Sequence, residues 1–173
     1  FNIHSKFSNV GVPLRATIEQ SLSKLHLTSI DIFYFHNYSD FIRHPEFHQQ
    51  MIDLKSEGLI NKIGISVYEN AEFQAASKYE FIDVIQFPFN LLDNLSQRKK
   101  NIDIATRNGK QLHVRSVYLQ GLFFMPIQNI PEKLAPLIPY LNELKRVAKT
   151  SNVKLEQMAI NFVLQSPHIE QAI

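Results

Sequence analysis

The chain has 173 residues, 45% of them hydrophobic and 20% charged, with a formal net charge of +2. That balance describes a globular domain with a real core and excludes the disordered and collagen-like classes. The lack of cysteine removes disulfide frameworks, thiolate nucleophiles and cysteine zinc sites; it is compatible with a reducing cytosol, and a cytoplasmic protein is expected.

No stretch approaches the ~18 uninterrupted apolar residues that a membrane span needs, and no basic-then-apolar signal segment opens the chain. Arg98-Lys99-Lys100 is a compact basic cluster. Without an aromatic platform or a basic stripe beside it, it reads as a solvated helix start, and no nucleic-acid partner is expected.

Phe1-Asn2-Ile3-His4-Ser5-Lys6 reads as a strand that ends in a lysine. Because the chain opens at Phe1, inside that strand, it is expected to be a piece of a longer protein. Leu14, Ile18, Leu22 and Leu25 then recur at helical spacing behind Pro13, a residue suited to a helix start. Ile30-Asp31-Ile32-Phe33-Tyr34-Phe35-His36 is almost wholly apolar up to its last residue, the signature of a strand buried on both faces of a parallel sheet. Pro45 opens a second helical pattern through Phe47, Met51, Ile52 and Leu54, which Gly58 is placed to end in a left-handed cap.

Further along, Ile63 to Ser66 predicts a strand, Ala71 to Tyr79 a short helix, Ile82 to Phe87 a strand and Ser96 to Asn108 a helix stopped by Asn108-Gly109. Leu112 to Ser116 predicts another strand and Gln120 to Pro126 a loop. A long helix is expected from about Pro131 to Lys149, another from Leu155 to Leu164, and a last strand over Ile169 to Ile173.

Strands alternating with helices at ~25–35 residue spacing indicate βαβ units and a parallel sheet. A doubly wound sheet that bound a dinucleotide would carry a glycine-rich loop after its first strand, and no G-x-G-x-x-G occurs here. A (β/α)8 barrel fits better, but an intact one takes typically ~250 residues, so six strands in this length imply an incomplete barrel forming a single domain over 1–173. In such a barrel the carboxyl ends of the strands form the rim where chemistry is done. The residues at those ends are Lys6, His36, Ser66 and Gln86, joined by Arg115 and Ser116. That rim is almost free of carboxylates, so no metal site is expected and a divalent-metal hydrolase is a distant third reading.

In their order and spacing these segments resemble the aldo-keto reductase family, from its third barrel strand to its eighth. The strand ending in Lys6 matches the family's third strand. Ser21-Leu22-Ser23-Lys24-Leu25 followed by Ile30-Asp31 and the strand ending in His36 resembles the segment that carries the family's catalytic histidine. Gly64-Ile65-Ser66 and Val84-Ile85-Gln86 are similar to two strand ends that contact the nicotinamide carboxamide.

The resemblance implies an NADPH-dependent oxidoreductase that reduces an aldehyde or ketone carbonyl to an alcohol. By it, Lys6 lowers the pKa of a proton-donating tyrosine, His36 orients the carbonyl, and Ser66, Gln86, Arg115 and Ser116 bind the cofactor. The family's tyrosine and its lysine-pairing aspartate lie before its third strand, and a segment gripping the adenosine phosphate follows its eighth. Residues 1–173 alone are therefore expected to be inactive. An aldo-keto reductase-like barrel without catalytic power, acting as a binding or structural subunit, is the alternative.

Two positions depart from the family pattern. Val67 stands where well-known branches have asparagine, and Arg115 where an aromatic usually stacks on the nicotinamide. Tyr34, two residues below the rim, and Tyr38, expected in the loop that follows His36, are weak candidates for a substitute acid. Asp31, at the opposite end of its strand, is expected to be structural, and Phe123 and Phe124 to be the phenylalanines nearest a substrate.

Overall fold

The structure is a computed structural model that describes residues 3–7 and 13–173. Its strands are β1 (His4–Phe7), β2 (Ile30–Phe35), β3 (Ile60–Ser66), β4 (Val84–Pro88), β5 (Gln111–Arg115) and β6 (Gln171–Ala172), and they follow one another in the sheet in chain order. The helices are α1 (Leu14–Leu25), α2 (Tyr38–Arg43), α3 (Glu46–Ser56), α4 (Asn70–Ala76), α5 (Leu95–Arg107), α6 (Ile138–Thr150) and α7 (Leu155–Leu164). The pairs β1·β2, β2·β3, β3·β4 and β5·β6 are parallel, as a chain of βα units requires. The expected first strand began at Phe1; Phe1 and Asn2 lie outside the described residues.

The chain divides into two compact units, one of residues up to Phe87 together with Lys100–Leu112, the other of Pro88–Lys99 and His113–Ile173. In the first unit α1 buries Leu14, Ile18 and Leu22, and α3 buries Phe47, Met51 and Leu54. These are the positions that helical spacing selects. Gly58 (φ 77°) ends the α3 segment in the left-handed region, and Gly109 (φ 71°) follows α5 in the same conformation. Phe41 stacks on His48 at 4.1 Å, and the His48 ring shares a 2.9 Å hydrogen bond with the Phe41 carbonyl oxygen.

The second unit has its own core of Leu122, Phe123, Leu141 and Ala159, and Phe89 stacks on Phe162 at 5.4 Å. Its β6 is joined to β5 by the registers His113↔Gln171 and Val114↔Ala172.

Four expectations are corrected. Tyr38 is not in a loop: Asn37 caps α2, its Oδ1 accepting from the Asp40 N–H at 2.7 Å. Gln120–Pro126 is not a plain loop, because 3₁₀ turns within Leu119–Phe124 are separated by a kink at left-handed Gln120 and Gly121. The helix foreseen from Pro131 is broken: Glu132–Leu137 is 3₁₀ with Pro136 inside it, and α6 starts only at Ile138, where Pro139 occupies the first turn and needs no N–H partner. Arg98 is not solvated. It is 8% exposed and grips Asp93 through two 2.6 Å hydrogen bonds from Nε and Nη2.

Candidate active site

Parallel pairing sorts the first unit's side chains into rows. His4, Ile32 and Lys62 are in register; two residues on, Lys6, Tyr34, Gly64 and Val84 form the next row. Two residues further, Ser66 pairs with Gln86, and His36 follows Phe35, itself the partner of Ile65. Since alternate residues share a face, all three rows look the same way, and the buried cluster of Ile32, Tyr34 and Val84 marks that face as the inner one.

The register thus brings Lys6, His36, Ser66 and Gln86 to one end of one face. Lys6 and His36 are exposed, whereas Ser66 and Gln86 are 2% and 0% exposed. The His36 main-chain N–H is held by the Phe7 carbonyl at 3.0 Å, so its position is set by the β1·β2 ladder. Its ring makes no hydrogen bond among the described residues.

Lys6 Nζ donates to Gln86 Oε1 at 2.5 Å and stands 5.9 Å from the centroid of the Tyr34 ring, within cation–π range. The same Gln86 amide has a second end. Its Nε2 is buried with no hydrogen-bond partner among the described residues, a donor whose desolvation goes uncompensated unless a ligand supplies an acceptor.

Tyr34 is fully buried and its ring covers Gly64, where an added Cβ would come within 2.4 Å of a ring carbon. Burial drives the Tyr34 phenol well above its ordinary pKa, which unsuits it as an acid. Tyr38 sits on α2, stacked with Phe41 at 5.8 Å, and its phenol is raised too, chiefly by burial. Val67 is buried and its N–H donates to the Gln86 carbonyl at 2.9 Å, so the site receives no polar side chain there.

In the second unit Arg115 and Ser116 are adjacent at the end of β5. Arg115 Nη1 donates to Ser116 Oγ at 3.4 Å, and Ser116 takes a left-handed backbone (φ 62°), its carbonyl accepting from Asn90 Nδ2 at 3.2 Å. A pocket of about 400 Å³ borders Ser116, Val117, Tyr118, Gln120, Gly121 and Ile160. Phe123 is fully buried in this unit's core, while Phe124 is 40% exposed and lies 5.4 Å from Tyr118. Of the two phenylalanines expected near a substrate, only Phe124 can meet one.

Sequence reading missed the Lys6–Gln86 bond and the Tyr34 seat. Neither has a local signal, because both depend on register between strand residues 30 and 80 positions apart in the chain. Asp31 is structural as expected: its Oδ2 accepts from the Ile3 N–H at 2.7 Å.

A parallel sheet alternating with helices, with polar strand ends gathered on its inner face, defines the class of a (β/α)8 barrel, here present in part. The aldo/keto reductase family model matches residues 7–173. The chain belongs to the aldo/keto reductase family.

Among solved structures it is similar to an aldo-keto reductase from Bacillus halodurans in its holo form, at 20% identity and a TM-score of 0.76, covering 98% of this chain and 61% of that one. It is also similar to an aldo/keto reductase from Klebsiella pneumoniae in complex with NADP and acetate (17% identity, 99% and 58% covered, TM-score 0.70). A third is the glycerol dehydrogenase of Gluconobacter oxydans (18% identity, 92% and 53% covered, TM-score 0.71). The chain thus spans between 53% and 61% of the length of these three structures. Comparison with curated proteins gives no match. No helix among the described residues is long and apolar enough to cross a membrane.

Proposed function

We propose that the protein carrying this chain reduces an aldehyde or ketone carbonyl with NADPH, with Lys6 and His36 at the reacting centre and Ser66, Gln86, Arg115 and Ser116 holding the cofactor. The observation that carries this reading is the Gln86 amide: a buried N–H₂ without a protein acceptor, one register step from buried Ser66 and level with exposed His36. A carboxamide oxygen is the acceptor such a donor fits, and a nicotinamide carries one. The NADP named for the Klebsiella pneumoniae structure supports the same choice of cofactor.

When bound, the reduced nicotinamide supplies a hydride. The chain's own residues do the rest. Lys6 keeps a positive charge at the rim, which lowers the pKa of a phenol brought beside it and makes its proton easier to give. His36, with its ring uncommitted, presents a hydrogen-bond donor to a carbonyl oxygen on which negative charge builds. Ser66 and Gln86 orient the carboxamide, Arg115 offers a planar cation to the ring face or to a phosphate, and Ser116 borders the pocket of the second unit.

Titration of the intact protein with NADPH, followed by nicotinamide fluorescence, tests the reading. Saturable binding and consumption of NADPH with a small aldehyde or ketone are expected. No binding and no turnover across a panel of such carbonyls would establish the catalytically silent barrel instead.

A further inference from the structure

We infer that Asn90 is a positioning residue for the end of β5: its side-chain amide holds the Ser116 carbonyl and, through it, the left-handed turn that presents residues 116–121 to the pocket. The identity of the ligand rests on the functional reading above; the hold on the turn is seen directly.

The sheet explains why a side chain is wanted here. β4 ends at Pro88, yet its pairing with neighbouring β5 goes one rung further, the Phe89 N–H donating to the Arg115 carbonyl at 3.2 Å. The main chain then turns back on itself, with the Asn90 N–H donating to the Asp93 carbonyl at 2.8 Å. The next rung is made by the Asn90 side chain, whose Nδ2 reaches the Ser116 carbonyl at 3.2 Å.

That amide is fixed at its other end. Asn90 Oδ1 accepts from the N–H groups of Leu92 and Asp93 at 2.9 and 3.0 Å, the Asx-turn arrangement. Turned round, the amide would set its N–H₂ against two donors and its oxygen against a carbonyl. Asn90 is 0% exposed, so water does not compete for these bonds, and the Arg98 guanidinium clamps the Asp93 side chain at the far end of the same turn.

On the receiving side, the Ser116 carbonyl takes a second hydrogen bond, from the Leu119 N–H at 3.0 Å, which closes the turn over Val117 and Tyr118. Ser116, Leu119 and Gln120 all have left-handed backbones (φ 62°, 45° and 55°), a conformation that residues with a Cβ keep only where their surroundings hold them to it. One lone pair of this carbonyl thus ties the turn to itself, and the other ties it to Asn90. All these residues belong to the second unit. Without the Asn90 donor the turn is free to relax, and the pocket bordered by Ser116, Gln120 and Gly121 changes shape with it.

The test uses the full-length protein. Asn90→Ser keeps an oxygen that the 90–93 turn can bond and loses the donor to Ser116. Deuterium uptake of residues 117–121, followed by mass spectrometry without cofactor, should be about tenfold faster in Asn90→Ser than in wild type, the scale of one lost hydrogen bond. The dissociation constant for NADPH should rise about tenfold as well, with kcat at saturating NADPH within about twofold of wild type, since Lys6 and His36 are untouched. In Asn90→Asp the carboxylate repels the Ser116 carbonyl at pH 8; as pH falls to 6 the buried carboxyl takes up a proton and donates it to that carbonyl in a hydrogen bond. Its NADPH affinity, as a ratio to that of wild type, should therefore climb back toward one, a recovery that a merely structural turn would not give.

Equal uptake in wild type and Asn90→Ser, with both folded by circular dichroism, overturns the inference, and so does faster uptake with unchanged NADPH affinity. If Asn90→Ser does not fold, an Asn90→Asp variant equal to wild type in uptake and affinity at every pH overturns it equally. Failure of wild type to bind NADPH sinks the functional reading, and the uptake comparison then decides the hold on the turn by itself.

Discussion

The ring of Tyr34 lies on the bare backbone of Gly64, its register partner on β3, with no room for even a methyl group between them. A Cβ at residue 64 would stand 2.4–2.5 Å from two ring carbons, and the ring cannot back away because Tyr34 is fully buried. Gly64→Ala is expected to destabilise by about 1–3 kcal/mol, as overpacking does. Tyr34→Leu should relieve that strain, so the double variant should lose less than the sum of the singles. Urea unfolding of the four proteins checks this; strict additivity would mean the ring is not what fills the glycine's space.

Lys6→Met in the intact protein is expected to lower kcat at least ~100-fold, the scale on which a tuned general acid acts. NADPH affinity should fall far less than kcat, since the residues proposed to hold the cofactor are others. Stopped-flow turnover with an aldehyde, beside a binding titration, separates the two. Near-normal turnover would remove Lys6 from the chemistry.

His4 supplies a pH prediction. Its imidazole pKa is lowered from the ordinary 6.5, mainly because burial disfavours the cation, with the Asp31 charge opposing. A folded-state pKa below the unfolded one means the unfolded chain binds the proton more tightly, so stability is full above about pH 6.5 and declines as pH falls through the folded-state value. His4→Gln should flatten the stability curve between about pH 7 and 5. Thermal unfolding across that range reads it directly; an unchanged slope would place the acid sensitivity elsewhere.

Lys110 is a structural cation. It is 9% exposed, and its Nζ donates to the carbonyls of Tyr79 and Ile82, each at 2.7 Å, tying the start of β5 to the turn before β4. Burial also lowers its pKa, so it holds its charge at a cost that the carbonyls offset. Lys110→Met takes the ammonium away from both carbonyls, leaving that of Tyr79 with the Ile82 N–H alone, and should cost about 1–3 kcal/mol. Denaturant midpoints measure it, and a loss below ~0.5 kcal/mol would show that water replaces the ammonium freely.

The fold was largely legible because its signals are local. The apolar run Ile30–Phe35 and the periodic Leu14, Ile18 and Leu22 announce their elements within one stretch of chain. The exact bounds of α7, Leu155–Leu164, follow from its sequence pattern as well. Where reading failed, a local rule had been underweighted: Asn37 three residues before Asp40 is a helix cap, and Pro136 with Pro139 forbids a continuous helix from Pro131. The candidate residues of the rim are visible in the sequence, since polar residues ending apolar strands stand out. Their mutual contacts are not: that Lys6 meets Gln86, or that Tyr34 needs a glycine opposite, follows only once strands far apart in sequence are in register.

Lys62 to Gln111 and Lys6 to Gln86 both reach past intervening strands, the second past β2 and β3. In a flat sheet β1 and β4 would run about 14 Å apart, three spacings of ~4.8 Å, with their side chains standing parallel. Side chains that start so far apart converge only over a concave surface. The Lys6–Gln86 bond is thus a chord drawn across an arc, and its length gauges how strongly the first unit's sheet bends. Cutting either end frees the arc to open, so a substitution there alters the hollow offered to a guest molecule as well as the charge inside it.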